Sequence, residues 1–361
     1  MEENKKTSHK GFKLFIIIFL ILSIFLLKKE NQNKIVELFD SIGNKEKVLW
    51  LTNSFKNDGD IENINIYDDN IVKWSNNKIS FMKTDGKIIL EKGFEFTDPS
   101  IYFGKNNIYV VDKSTGDIYF LDKNGETIDR IKLNKEIYNL KESNANLIYH
   151  IKSPNQENIS ILNKENLLIG NYSYDNENIL TFVVSKNGTT NAVSVLNFNE
   201  EILKSKLEIY GQNNEKLNSL DIEGEIVLFL EFTSNEDLIA LTDRALYSIK
   251  EGKIKWKKQY DLIKDIYLED EKIYILYSNY LESIYLDGRT ENKIGFTEEY
   301  KKILPFGRKI LLYGDNNITI LEGDRQILKH NENMQRVFTS NNKIFVLSSD
   351  EILLYELKNK K

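Results

Sequence analysis

The chain has no cysteine, three prolines, three histidines and three tryptophans in 361 residues. Zero cysteine excludes disulfides, thiol nucleophiles, thiolate zinc sites and the acylated cysteine of a lipoprotein. It leaves the compartment open, because an exported protein can simply avoid thiols. The three histidines, His9, His150 and His330, show no ligand spacing. No nucleophile elbow, zincin helix or phosphate loop is present. With a net charge of −6 and no dominant basic patch, a nucleic-acid partner is not expected. Alanine first appears at Ala145 amid abundant Asn, Lys and Ile, a compositional bias rather than a functional signal.

What is present is a core-forming supply of apolar residues, 41% of the chain, with 19 Tyr and 19 Phe suited to broad sheet surfaces. The apolar residues fall into two patterns. The first is one uncharged run, Leu14 to Leu27, whose only polar residue is Ser23. As a helix it rises about 21 Å against a hydrocarbon core of about 30 Å. Gly11 and Phe12 extend it, and Lys13, Lys28 and Lys29 can snorkel outward. A cleaved signal peptide is the alternative. However, Lys28, Lys29 and Glu30 occupy the place where small residues should sit, and Ser41-Ile42-Gly43 lies too far downstream. The run is apolar on every face, which argues against a buried core helix.

The expectation is an uncleaved single-pass anchor at 14–27 behind a cytoplasmic head at 1–13. A stalk at 28–47 follows, with Ile35, Leu38, Phe39 and Ile42 on one helical face. Lysines flank the run on both sides, so orientation follows the default for a short basic head. That default places the protein in the cell membrane with its C-terminal domain, 48–361, extracytoplasmic.

The second pattern is a repeat. Residues 108–133 hold three strand-like runs separated by two polar turns, each with a glycine, as in an antiparallel meander. Related turns recur at Thr84-Asp85-Gly86-Lys87, Lys123-Asn124-Gly125-Glu126, Asn163-Lys164-Glu165-Asn166 and Asn213-Asn214-Glu215-Lys216. They continue at Lys250-Glu251-Gly252-Lys253, Leu286-Asp287-Gly288-Arg289 and Glu322-Gly323-Asp324-Arg325. Intervals near 40 residues, with one of about 49 that fits an insertion around Asn199 to Lys206, match the period of a four-stranded propeller blade. The reading is an all-β, eight-bladed β-propeller, with seven as the alternative count. Blades fall at 61–95, 96–134, 136–175, 178–223, 225–260, 262–297, 300–331 and 334–361. Near-continuous apolar runs such as Ile179 to Val184 and Ile226 to Phe232 are assigned to buried inner strands. The last unit lacks a fourth strand, and Lys47 to Thr52 is a strand without a partner. Pairing the two closes the ring.

The glycine turn before the fourth strand resembles the quinoprotein-like and WD40-like propeller superfamilies. Gly252-Lys253-Ile254-Lys255-Trp256 matches the glycine-lysine-x-x-tryptophan core of a quinoprotein-type repeat. That resemblance implies a tryptophan docked on the adjacent blade; elsewhere its place is taken by Leu90 or by polar residues such as Asp129. The layout of anchor plus propeller looks like uncharacterised single-pass propeller proteins of Gram-positive bacteria, and implies a binding scaffold more often than an enzyme. The quinoprotein cofactor site uses vicinal cysteines, a stacking tryptophan and calcium. This chain has no cysteine, and Trp50, Trp74 and Trp256 are read into outer strands, so no cofactor is expected.

Two functions follow as expectations. The first is an envelope scaffold gathering a protein or cell-wall partner on one propeller face, with Tyr172, Tyr174, Tyr277 and Tyr280 as exposed contact candidates at loops. The rival is a hydrolase or lyase of cell-surface carbohydrate, using a carboxylate pair near the channel. Asp68-Asp69 and Glu269-Asp270-Glu271 are read as solvated turns, and Asn57-Asp58-Gly59-Asp60 lacks the spacing of a calcium loop. No catalytic, metal or cofactor residue is assigned.

Overall fold

A strand of this chain carries apolar residues on one or both faces, and no single four-stranded sheet can bury both. The computed structural model, which describes residues 46–56, 61–67, 70–197 and 203–360, solves this with eight four-stranded antiparallel sheets. The assignments on 1–45, on Asn57-Asp58-Gly59-Asp60 and on Asp68-Asp69 lie outside the described residues. Among the described residues no helix is long and apolar enough to cross a membrane. The chain divides into two compact units, 49–358 and a second made of 1–48 with 359–361; the ring described below is the first.

Seven blades are consecutive meanders at 63–93, 99–132, 139–175, 178–223, 227–259, 263–295 and 302–331. The eighth is composite. Its three inner strands are Arg336–Ser340, Lys343–Leu347 and Glu351–Asn359, and its outermost strand is Lys47–Lys56 from the other end of the sequence. The count is eight, not seven, and the closing strand begins at Lys47, as read, and runs past Thr52 to Lys56. Thr52 Oγ1 donates to Leu354 O at 3.0 Å across the closure.

The core is not one mass. It consists of eight apolar clusters, each spanning one seam between neighbouring blades. Blade 1 meets blade 2 through Val72, Phe81, Phe94, Ile101 and Val110. The ring shuts where Phe345, Ile352 and Leu354 of blade 8 meet Ile64, Ile71 and Met82 of blade 1. The most buried strands are the two middle ones of each blade, such as Ile108–Asp112, Leu238–Thr242 and Ala245–Lys250. This corrects the expectation that innermost strands are the deepest. An innermost strand has a sheet neighbour on one side only, so Ile263–Leu268 is half-buried along its whole length and Leu228 is exposed.

Two devices shape the outermost strands. After the third turn of each of the first seven blades the pairing register slips, as between Phe81 and Met82 or Ser283 and Ile284. A bulge there twists the exposed edge away from further pairing. A few residues on, a side chain docks on the next blade. Trp256 donates from Nε1 to Leu286 O at 2.9 Å and lies over Gly288. Gly288 has φ +89°, and a Cβ there would sit 2.9 Å from Trp256 Cγ. Glycine is required twice over, by backbone and by close approach.

The alternation of strand direction gives each blade two ends. The first and third turns of every blade lie on one side, here the entry face, because the chain enters there at Lys47 and its last strand ends there at Asn359. The second turns and the loops between blades form the opposite, distal face.

Two outcomes are expected. Gly288→Ala should cost about 2 kcal/mol, a melting shift of roughly 3 °C for a domain of this size, from left-handed backbone strain plus the clash with Trp256; an unchanged melting temperature would mean that Trp256 does not dock. A chain beginning at residue 57 should lose about 2–4 kcal/mol through Leu49 and Phe55 and self-associate through the bared edge of Glu351–Asn359. Monomeric behaviour of that chain in sedimentation would contradict the closure.

Candidate functional site

The distal face gathers loops from all eight blades, and its chemistry concentrates in two places. The first is a cavity of about 560 Å³ between blades 1 and 2. Its wall is aromatic: Phe94 lies 5.5 Å from Tyr119 edge to face, and Phe96 lies 5.7 Å from Tyr119. Cations cover these rings. The Arg130 guanidinium is 4.5 Å from the Tyr119 centroid, and Lys92 Nζ is 5.6 Å from that of Phe94. Arg130 is held by Asp117, with Nε donating to Oδ1 at 2.7 Å. Aromatic faces topped by fixed cations form a binding surface, and Glu95, Asp112 and Asp117 also line the cavity.

The second place is a tyrosine patch on blades 5 and 6. Tyr260 is 4.7 Å from Tyr277, which is 5.8 Å from Tyr280. Lys293 Nζ stands 4.2 Å from the Tyr280 centroid. Beside them Leu262 is 76% exposed and Tyr280 41%. The patch rests on buried Glu282, to which Lys258 donates at 2.7 Å across the seam. Burial would raise the Glu282 carboxyl, but the hydrogen bonds from Lys258 and Thr290 outweigh it and hold it below its ordinary value.

The four tyrosine candidates therefore separate. Tyr277 and Tyr280 do lie at a distal-face turn, the first half-buried and the second exposed. Tyr172 and Tyr174 do not sit in a connection. They belong to Leu168–Asp175, the outermost strand of blade 3, and are 4% exposed. Both point into the seam with blade 4, where Tyr172 lies 4.1 Å from Tyr210 and Tyr174 Oη is 3.0 Å from Tyr210 Oη. The tryptophans also need one correction. Trp50 and Trp256 are on outermost strands, but Trp74 is on the second strand of blade 1 and 2% exposed, because it fills the seam with blade 2.

On the entry face, a cavity of about 340 Å³ is lined by Lys105, Lys141, Glu142, Lys186 and Glu231 from several blades. Burial pushes the Glu231 carboxyl up, opposed by Lys141 and Lys186, and pushes the Lys141 ammonium down. Lys186 bridges to Asp270 at 2.8 Å, joining the first turns of blades 4 and 6. Glu231 feels the ammonium groups of Lys141 and Lys186, while Glu142 accepts from Asn106 N and Tyr109 Oη. Among the described residues no three His, Asp or Glu side chains are placed to hold a metal ion. His150 is buried, with Nε2 3.0 Å from Glu157 Oε2, and desolvation lowers its pKa against the pull of Glu157. His330 meets Tyr355 edge to face, with ring centroids 5.3 Å apart.

Phe94, Phe96, Arg130 and Leu262 were missed by sequence reading. The only signal was position: Phe94, Phe96 and Leu262 lie in loops between blades, where an apolar residue has no strand to bury it.

A family model described as a family of unknown function (DUF5711) matches residues 44–357. No curated protein matches the chain. Among solved structures, it is similar to BamB from Moraxella catarrhalis, at 12% identity and TM-score 0.56, covering 86% of this chain and 100% of that one. The C-terminal WD40 domain of Sif2 is similar at 12% identity and TM-score 0.61, over 88% and 100%. Saccharomyces cerevisiae Sqt1 is similar at 8% identity and TM-score 0.58, over 88% and 100%. At these identities the likeness is one of fold.

The Glu282–Lys258 pair yields a pH prediction. A carboxyl whose folded pKa is depressed adds stability above the unfolded value of about 4.3, lost as pH falls through the folded one. Glu282→Gln should lose about 1.5 kcal/mol at pH 7. The loss should shrink as the pH is lowered from about 5 toward 3, read from urea midpoints. An equal loss at both ends of that range would remove the charge pair from the explanation.

Proposed function

The chain belongs to this family of unknown function, and from that premise we propose that it is a membrane-anchored, extracytoplasmic scaffold that holds a protein or cell-wall partner on its distal face. The observation that carries the reading is the placement of the chain ends. Both meet the ring on the entry face, so an anchor at 14–27 leaves the opposite face turned away from the membrane, with its tyrosine patch and aromatic cavity exposed. Propeller folds commonly serve as interaction platforms, and loops on a rigid ring suit that use. Exposed tyrosine beside exposed leucine is the composition of an anchoring contact, combining apolar area with a hydroxyl that can be satisfied at a wet rim.

Two measurements test the proposal. Protease added to intact cells should remove the propeller, and cleavage only after lysis would reverse the orientation. Cross-linking in intact cells should recover a consistent partner, and Leu262→Glu with Tyr280→Ala should reduce that recovery at least tenfold, about 1.4 kcal/mol or more of binding. Undiminished recovery with the doubly substituted chain would place the contact elsewhere.

A further inference from the structure

On each outermost strand, the residues that follow the third turn lie at the rim of the entry face, and their character changes around the ring. Blade 8 carries exposed Trp50 there, blade 1 Ile88 and Ile89, blade 2 Ile128, and blade 3 Leu167 and Leu168. Trp50 is 59% exposed, Ile128 55% and Leu167 62%. Blade 4 carries Leu217 and blade 5 Ile254, 48% and 46% exposed, whereas on blade 6 the same positions hold Thr290 and Glu291, and on blade 7 Arg325 and Gln326. Scattered exposed apolar residues need no explanation. An arc of large ones after the third turns of six adjacent blades does, because none of them contributes to a seam cluster.

The arc starts where the chain enters. Trp50 belongs to the entering strand Lys47–Lys56, and the uncharged run ends at Leu27. The 19 residues between Leu27 and Lys47 span at most about 65 Å when fully extended. A tether of that length keeps this rim at high local concentration near whatever surface holds the run. The arc also has the composition of a membrane interface. Lys358 Nζ stands 5.9 Å from the Trp50 ring, and the neighbouring turns carry Lys87, Lys123 and Lys164 beside Asp85, Glu126 and Glu165. Tryptophan at headgroup level with lysines reaching past it is a common arrangement where protein meets lipid.

We infer that this apolar rim, densest on blades 8, 1, 2 and 3 and continued by Leu217 and Ile254, rests on the lipid surface, so that the propeller lies against the bilayer instead of standing free on a stalk. The inference rests on the anchor at 14–27 and holds for either orientation of the chain, since the tether and the rim share one side of the membrane. Blades 6 and 7, with charged rims, then face away from the lipid, and the tyrosine patch of blades 5 and 6 stays accessible.

The test uses the full chain reconstituted in vesicles of phosphatidylcholine and phosphatidylglycerol, with and without bromine near the headgroup end of the acyl chains. Trp74 is buried and Trp256 is docked, so Trp50 is the tryptophan open to quenching from lipid. The chain should float with the vesicles, and its fluorescence should fall by about a quarter or more in brominated lipid. Trp50→Phe should abolish most of that fall, and Ile128→Asp with Leu167→Asp should at least halve it without changing flotation. A chain that floats while its emission is indifferent to bromine overturns the inference and leaves the anchor standing. A chain that fails to float overturns the anchor, and the inference with it.

Discussion

The ring depends on one antiparallel pairing, that of the first described strand with the last. Each blade presents two apolar faces and can bury them only against neighbours, so an open row of eight sheets would leave two faces bare. Closing the row creates the eighth seam and removes that exposure. Hydrogen bonds alone would make a weak clasp, because each exchanges water for protein at a net gain of about 1 kcal/mol. The closure is strong because it also buries Phe345, Ile352 and Leu354 against Ile64, Ile71 and Met82. The same pairing fixes polarity, since the first and last described strands begin and end on one face.

Closure does not remove every edge, because each blade still ends in an outermost strand with unpaired backbone groups. The structure treats this hazard in one way seven times, by a bulge directly after the third turn. The residue extruded there varies freely: Ile89, Ile128, Leu217, Lys255 and Glu291 occupy equivalent places. The bulge is a backbone device that leaves its side chain available. Where that chain is apolar the rim becomes adhesive, and where it is charged the rim stays soluble.

Much of the fold was legible because turn chemistry is local. A glycine at φ near +90°, as at Gly86, Gly125 and Gly288, can be recognised from its neighbours, and the spacing of such turns set the blade limits to within a few residues. The residue at the tryptophan position varied from blade to blade for a physical reason. In blade 5 the dock is Trp256 on Gly288, but in blade 2 Asp129 accepts from Asn166 Nδ2, and in blade 4 Asn218 lies against Gly252. A polar pair holds the same joint with no shared residue type, so no motif survives. Burial of Tyr172 and Tyr174 was illegible for a different reason. Alternation along a strand shows that they share a side, yet which side meets the next blade depends on a register and twist that only the assembled ring supplies.

These joints also explain why the faces differ in what they can bind. A seam filled by a large side chain is closed, as Trp256 closes the joint onto blade 6. With Asn292 in that position on blade 6, the joint to blade 7 keeps a cavity of about 350 Å³ beside Gly323. The cavity between blades 1 and 2 arises on the distal side for a related reason: the loop after Gly93 places Phe94 in the seam but leaves Phe96 half out of it. Erosion of the repeat thus costs packing at a joint and opens space there. A ring with eight nearly independent seams tolerates such losses singly, because each seam is stabilised by its own cluster. Sites can therefore form at individual joints while the pairing of the two chain ends keeps the whole closed.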